Sequence, residues 1–387
     1  MGKQKKVTVS VPINIALIKY WGKRDEELML PLNDSVSLSI DELRATTTIS
    51  LVTDAAADSV CINGKEVDLG KQSRFARCFN EVRRLARKRK LDDADGDKTA
   101  PSIDGVKFVI NSETNFPIEA GLASSAAGFA ALAFAFGRLF HLDDTTVVRI
   151  ARLGSGSACR SVLSGFVHWR AGAAADGSDC DCISLASADH WPELRAVVAV
   201  TSGDSKAMGS TRGMENTVET STLLKHRVSN VVPDRVVRLR HAISSRDFAT
   251  LANITMRDSN QLHSVCLDTH PPLMYLNEAS WHLIGLVHAL NDHFGATRVA
   301  YTFDAGPNCC LFAEVDFIPT LLACLLKYCP SSGSPTKILE KLDKSTAESA
   351  YLGRDSLFDL KSISAMTDAV QYLVVSTVGS GPKVVDM

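Results

Sequence analysis

A two-domain fold that mixes helices with sheets, α/β or α+β, is what the sequence predicts, and three observations carry the prediction. Its 387 residues, at about 100–200 per domain, suggest two units with ample material for a core. Runs rich in Val, Ile and Thr alternate with helix-period stretches through both halves. The composition, 45% hydrophobic and 22% charged, is that of an ordinary globular chain and excludes disordered and fibrous classes. With 42 Lys+Arg against 44 Asp+Glu the formal charge is −2, so nothing global points to nucleic acid or a membrane as partner.

The first strand is expected at 7–15. The opening MGKQKKVTVSVPINIALIKYWGK carries basic residues but no continuous apolar run or small-residue cleavage site of the secretory kind. Position 6 is Lys6, which does not fit a myristoylation signal after Gly2, and KVVDM is neither a prenylation box nor a peroxisomal address. Further strands are expected at 45–52 and 105–112, with a helix at about 71–90 between them. Within that helix RRLARKRK (83–90) is strongly basic, which could signal RNA or a nuclear address. Phe75, Phe79, Val82 and Leu85 on the other face, and Asp92, Asp93, Asp95 and Asp97 directly after, predict a solvated helix face instead. A polar loop fills 91–104.

An Ala/Phe helix follows at about 124–140. The uncharged stretch Ala120–Gly137 is only weakly hydrophobic and is bracketed by Glu119 and Arg138, as a buried helix is and a membrane span is not. The Gly/Ala/Asp-rich segment 172–190 reads as a loop and boundary before a strand at 195–201, dividing the chain into 1–190 and 191–387. The second half alternates helices (214–229, 234–244, 247–264, 272–293) with strands near 297–303 and 308–314. None of the ten cysteines forms a CxxC pair or a Cys/His zinc spacing. Several sit in apolar runs such as NCCLF and LLACLLKYC, as reduced thiols do when they act as small hydrophobes. A reducing, cytoplasmic compartment is the expectation.

Four segments carry chemistry. NFPIEAGLASSAAGFAAL (115–132) leads from a strand through a small-residue turn into a helix. Gly121, Leu122, Ala123, Ser124 and Ser125 there would let an anion approach the first-turn N–H groups, where the helix dipole favours negative charge. It is neither a Walker A loop nor a dinucleotide fingerprint. The turn in ARLGSGSACRS (151–161) offers hydroxyls at Ser155 and Ser157 and a guanidinium at Arg160 for phosphate and carboxylate oxygens. NIALIKYWGKRD (14–25) gathers Asn14, Lys19, Tyr20, Trp21 and Lys23 just after a strand, as an anion site would. In YTFDAGPNCCLF (301–312), Asp304 sits between two apolar strands as either a turn-forming residue or a catalytic base.

In this order the four segments resemble the GHMP small-molecule kinase superfamily, whose phosphate-binding signature PIEAGLASSAA (117–127) matches. More narrowly, KYWGK, AGLASSAAG, GSGSACRS and YTFDAGPN are similar to the diphosphomevalonate decarboxylase family, and the likeness runs from residue 7 to VGSGP at 378–382. The resemblance implies a GHMP-kinase-like fold with the active site in a cleft between two domains. It also implies a homodimer with Mg2+ and ATP as co-substrate, no nucleic-acid or membrane partner, and conversion of (R)-5-diphosphomevalonate to isopentenyl diphosphate.

By the same resemblance Asp304 would be the base toward the 3-hydroxyl, with Lys19 beside it favouring the ionised carboxylate. Arg160 and Asn14 would orient the substrate carboxylate. Tyr20, Trp21, Gly22, Lys23, Arg74, Ser155, Gly156, Ser157, Ala158, Cys159, Ser210 and Thr211 would line the substrate, and Ser124 with Ser125 would receive ATP phosphates beside the metal. Adenine contacts follow no motif and are sought in 60–75 and 90–112. Such a cationic lining suits the chemistry, because a diphosphate, a carboxylate and a nucleotide must share one site. The competing readings are a kinase that stops after phosphorylating a small alcohol, a decarboxylase of the monophosphate, and an RNA-binding protein acting through 83–90.

Overall fold

The computed structural model describes residues 5–70, 73–92, 103–116, 124–201, 208–334, 336–354 and 357–387, with the backbone alone for Ser73, residues 89–92 and Ser124. In the first half lie β1 (Lys6–Ile18), β2 (Lys23–Asp25), β3 (Leu30–Pro31), β4 (Ser35–Val52), β5 (Ser59–Ile62), β6 (Lys65–Glu66), β7 (Lys107–Thr114), β8 (Phe166–Trp169) and β9 (Cys182–Ala186). The second half holds β10 (Leu194–Val200), β11 (Val299–Phe303), β12 (Cys309–Glu314), β13 (Tyr372–Thr377) and β14 (Lys383–Asp386). One sheet runs β14-β1-β4-β7-β5-β6, with β8 paired to β4 and β9 to β8. The other runs β11-β12-β10-β13, and β2 with β3 forms a small ribbon.

The helices are α1 (Ser73–Asp92), α2 (Ser124–Leu139), α3 (Asp144–Gly154), α4 (Ser210–Thr220), α5 (Thr222–His226), α6 (Val232–Ser245), α7 (Phe248–Asp268), α8 (Glu278–Phe294), α9 (Ile318–Tyr328) and α10 (Lys344–Arg354). A π turn at Arg227–Val231 joins α5 to α6.

β1 is the spine of the first sheet. Val7, Val9, Val11 and Ile13 point to one fully buried face, and from Val11 onward both faces are covered. Its register with β4 shifts between Pro12 and Ile13, where proline supplies no ladder N–H. α2 lies close against this sheet because Ala126, Ala127, Ala130, Ala131, Ala133 and Ala135 are all buried and short. No helix among the described residues is long and apolar enough to cross a membrane.

Several boundaries differ from the sequence expectation for physical reasons. The strand at 45–52 is the second half of the longer β4, whose polar Ser35, Ser37 and Ser39 are buried rather than solvated. The supposed loop at 172–190 contains β9, whose half-buried residues lack a strong apolar period. The helix placed at 272–293 begins only at Glu278, where Asn277 and Ser280 form a capping box.

Helices α3, α9 and α10 and strands β13 and β14 were not anticipated, and β14 returns from the far end of the chain to pair with β1. In the basic run, Arg83 is bidentate on Asp58 (2.9 and 2.7 Å) and lies 4.3 Å from the Phe108 ring centre, while Arg84 pairs with Glu81. Those arginines are occupied locally. Asp93, Asp95 and Asp97 lie outside the described residues, and of Asp92 only the backbone is described.

Candidate active site

Where β1 runs off the first sheet it delivers Lys19 to the second. Lys19 Nζ lies 2.5 Å from Asp304 Oδ1, which follows directly on β11. The ammonium is buried, whereas the carboxylate remains about one-third exposed (34%) and so open to a ligand. The turn after β11 is closed by backbone, Gly306 N–H to Asp304 O at 2.8 Å, which leaves the side chain to reach Lys19. To the two sequence readings of Asp304, catalytic base and turn-former, the geometry adds a direct ion pair with Lys19.

Asn14, farther back on β1, anchors a second constellation. Its Nδ2 donates to Ser157 O (3.1 Å) and Ser161 Oγ (2.8 Å), and its Oδ1 accepts from Arg160 Nε (3.0 Å). Arg160 Nη1 donates to Ser35 Oγ at 2.8 Å, so the guanidinium plane is fixed, and among the described residues Nη2 has no hydrogen-bond partner. The turn Gly156–Val162 that carries Arg160 is a 3-10 helix packed beneath β1. In it Ala158 and Cys159 are fully buried, with Cys159 Sγ donating to Gly156 O. Expected among the ligand contacts, these two side chains face the core.

Tyr20 packs edge-on to Trp169 (4.8 Å between ring centres), and its hydroxyl is buried without a hydrogen-bond partner among the described residues. Burial, and then Glu26, push that phenol above its usual range. A side chain at Gly156 would bring a Cβ to 2.9 Å from this hydroxyl, so glycine keeps the space in front of Tyr20.

Lys23 is buried and donates to Glu26 Oε2. Trp21 is a correction to the sequence reading. Its Nε1 donates to Thr217 Oγ1 (3.1 Å) and its ring packs with Met214, Leu224, Leu262 and Tyr275, so it serves as core between the halves. Gly22 adopts φ +89°, a backbone region that favours glycine.

The two small-residue turns meet, with Ser125 Oγ 3.4 Å from Ser155 Oγ. Ser124 opens α2 and only its backbone is described, whereas Gly121, Leu122 and Ala123 lie outside the described residues. Beside the start of α2 is a cavity of about 280 Å³, walled by Val60, Ile62, Phe75, Ile110 and Leu132 and by the polar Arg74, Ser112 and Ser125. Arg74 lies 5.2 Å from the Phe129 ring centre, and burial, with Arg77 nearby, holds its guanidinium below the usual range. Ser210 and the exposed Thr211 form the first turn of α4, and the preceding residues 202–207 lie outside the described residues.

Sequence reasoning missed a buried group on α7. Asp258 is fully enclosed and paired with Arg227 and Arg235. Burial opposes its charge, but the two arginines and the Lys19 N–H hold its carboxyl below the usual range. His263, on the same helix, is buried with Nε2 unpartnered among the described residues. Burial, reinforced by Lys19 and opposed by Asp304, pushes its imidazole down to about 4, so the ring is neutral. The only sequence signal was a polar period inside an otherwise apolar helix, which reads as surface. Among the described residues no three His, Cys, Asp or Glu side chains gather into a metal site.

Two family models match the chain: a diphosphomevalonate decarboxylase-like N-terminal domain at residues 11–183 and a mevalonate 5-diphosphate decarboxylase C-terminal domain at residues 196–385. The diphosphomevalonate decarboxylase of Rattus norvegicus is 44% identical over 98% of this chain and 93% of its own. The structure is similar to that of the mevalonate diphosphate decarboxylase of Trypanosoma brucei, with a TM-score of 0.87, 40% identity and 98% of each chain covered. It is also similar to a structure of MDDEF in complex with MVAPP, AMPPCP and magnesium, with a TM-score of 0.75, 27% identity, and 99% and 100% of the two chains covered.

Proposed function

The chain belongs to the diphosphomevalonate decarboxylase family, and on that premise we propose how its own residues carry out ATP-dependent conversion of (R)-5-diphosphomevalonate to isopentenyl diphosphate, carbon dioxide, ADP and phosphate. The observation that carries the assignment is the Lys19–Asp304 pair, two motif residues far apart in sequence that meet at 2.5 Å where the sheets adjoin.

Substrate enters with its carboxylate on Arg160 Nη2, which has no partner among the described residues, in the frame held by Asn14 and Ser157. The Tyr20 hydroxyl, which has no partner among the described residues, takes the diphosphate with Lys23 and Ser155. The nucleotide base fills the apolar cavity beside α2, which residues of 60–75 and 90–112 line in part together with residues of α2, and its phosphates lie at the Ser124–Ser125 end of the helix. Ser124 and Ser125, with the nucleotide phosphates, would hold magnesium, which when bound would neutralise phosphoryl charge.

Asp304 accepts the proton of the 3-hydroxyl as that oxygen attacks the γ-phosphorus and the β,γ-bridge bond breaks toward ADP. The C3–O bond then breaks with departure of phosphate. The electrons of the bond between C2 and the carboxyl carbon close the C2–C3 double bond, and carbon dioxide leaves. Lys19 holds Asp304 in place by its charge and contact, while Arg160 keeps the carboxylate in the reacting plane.

The division at 1–190 and 191–387 is supported by the bounds of the two family models. A cytoplasmic location is supported by ten cysteines without a disulfide, and homodimerisation rests on the family likeness and is checked by sedimentation. The assay for the whole reading incubates the protein with Mg-ATP and (R)-5-diphosphomevalonate and quantifies products. Equimolar carbon dioxide, phosphate and isopentenyl diphosphate are expected. ADP with a stable 3-phosphorylated product and no carbon dioxide would make the protein a kinase instead.

A further inference from the structure

We infer that Asp258 and Arg227 are positioning residues for the reaction, a buried clamp on the backbone of Lys19 that fixes where its ammonium meets Asp304. β1 ends at Ile18, so the peptide groups of Lys19 lie beyond the sheet ladder, and once buried they need other partners. The clamp supplies them from the other half of the molecule. Lys19 N–H donates to Asp258 Oδ1 at 2.8 Å, and Lys19 O accepts from Arg227 Nη2 at 3.0 Å. Arg227 is in turn bidentate on the same carboxylate at 2.9 and 2.8 Å, closing a ring of hydrogen bonds around one residue. Asn33 Nδ2 adds a second donor to Lys19 O at 3.0 Å.

The other member of the catalytic pair is tied to the same helix. Ser259, next to Asp258 on α7, accepts the N–H of Phe303 at 2.9 Å, and Phe303 directly precedes Asp304. Two consecutive residues of α7 therefore hold the main chain beside Lys19 and beside Asp304, which fixes the separation of the two strand ends. Arg227 enters the clamp at the start of a π turn, a local departure from the α-helix that recurs at functional sites.

A fully buried ion pair is a poor source of stability, because desolvation offsets much of the attraction. Its contribution here is geometric. Arg235 provides an internal control: it bonds Asp258 Oδ2 (2.7 Å) and Gln261 Oε1 (2.9 Å) rather than the Lys19 backbone.

The inference rests on the Lys19–Asp304 pair being catalytic, so the experiment includes Lys19→Ala beside Asp258→Asn, Arg227→Lys and Arg235→Met. For each, kcat, KM for both substrates and the melting temperature are measured. Asp258→Asn and Arg227→Lys are expected to lower kcat about 10- to 100-fold, the effect of a misplacement near 1 Å, with both KM values within about 3-fold. Arg235→Met is expected to lower the melting temperature while keeping kcat within about 2-fold. Where Asp258→Asn fails to fold, Arg227→Lys carries the test, because it keeps a cation for Asp258 but cannot span to Lys19 O. Unchanged kcat in Arg227→Lys, or a kcat loss in Arg235→Met matching the others, overturns the clamp. Normal turnover by Lys19→Ala overturns the catalytic reading itself, whereas an inactive Lys19→Ala beside a fully active Arg227→Lys overturns the clamp alone.

Discussion

Asn14 and Lys19 stand on the same strand and its extension, yet they are held by opposite means. Asn14 is fixed from within the first half of the chain by Ser157, Arg160 and Ser161, all on the 3-10 turn packed beneath the first sheet. Lys19 is fixed from the other unit by two buried charges on α7 and the π turn, and by Asp304 beyond β11. The first arrangement is a wall, complete in itself and suited to binding. The second is a seam made from residues of both halves of the chain, and it holds the group proposed above to take the proton. Binding and turnover should therefore respond to different substitutions.

The largest expected effect lies in the seam. Asp304→Asn should lower kcat by about 10²–10⁴, the usual contribution of a positioned base, while calorimetry still detects both substrates. Loss of binding together with rate would mean that the residue is structural and erase the distinction.

His263 probes the seam through pH. Its unfolded pKa is 6.5 and burial lowers it to about 4 in the fold. Between those values only the unfolded chain binds the proton, so the contribution is fully present above pH 6.5 and is lost as pH falls toward 4. The total is about 3 kcal/mol. His263→Gln should remove that dependence in chemical denaturation between pH 7 and 4, and an unchanged slope would assign it to other groups.

In the wall, Arg160→Ala strands Asn14 Oδ1 and Ser35 Oγ, costing about 1–3 kcal/mol of stability, and should raise KM for diphosphomevalonate more than that for ATP. Near-wild-type kinetics would remove Arg160 from the site. Tyr20→Phe sharpens the same point at smaller scale. Because its hydroxyl has no partner among the described residues, the free protein should melt unchanged or slightly higher. Substrate binding should weaken by about 0.5–1.5 kcal/mol, one hydrogen bond. A lower melting temperature with unaltered affinity would show that the hydroxyl serves the fold. Arg84→Ala, away from both regions, should change stability by less than about 1 kcal/mol, measured by urea denaturation.

The wall was more legible in the sequence than the seam. Ser157 and Arg160 share one short turn, and Asn14 belongs to a long strand rich in Val and Ile, so residue type and spacing exposed them. Lys19 and Asp304 were each visible in a motif, but their meeting at 2.5 Å was supplied by family likeness rather than by spacing. Asp258 and Arg227 lie in helices whose polar positions read as surface, because a one-dimensional pattern cannot tell a charge facing water from one facing another buried charge. Trp21 misled in the opposite direction: an indole beside two lysines suggested ligand, but its N–H is satisfied by Thr217 and its ring is core. At the element level, long apolar strands and the Ala/Phe helix were plain. Short strands such as β9 and β14 carry too little pattern to be seen before their partners are known.

The return of β14 sets an order on how the protein can be made. It pairs along β1, with Thr8 opposite Asp386, while the chain just before it is stitched to β4: Gly379 N–H reaches Ser39 O, and Arg44 reaches Gly381 O. A ribosome adding about 5–20 residues per second therefore releases nearly all of the chain before β1 acquires its outer neighbour. Throughout that interval the strand bearing Asn14 is an open edge, the kind of surface to which stray strands add. Shortening the chain before 378 would make that interval permanent, yielding a protein whose fault is a tendency to clump although every active-site side chain is present.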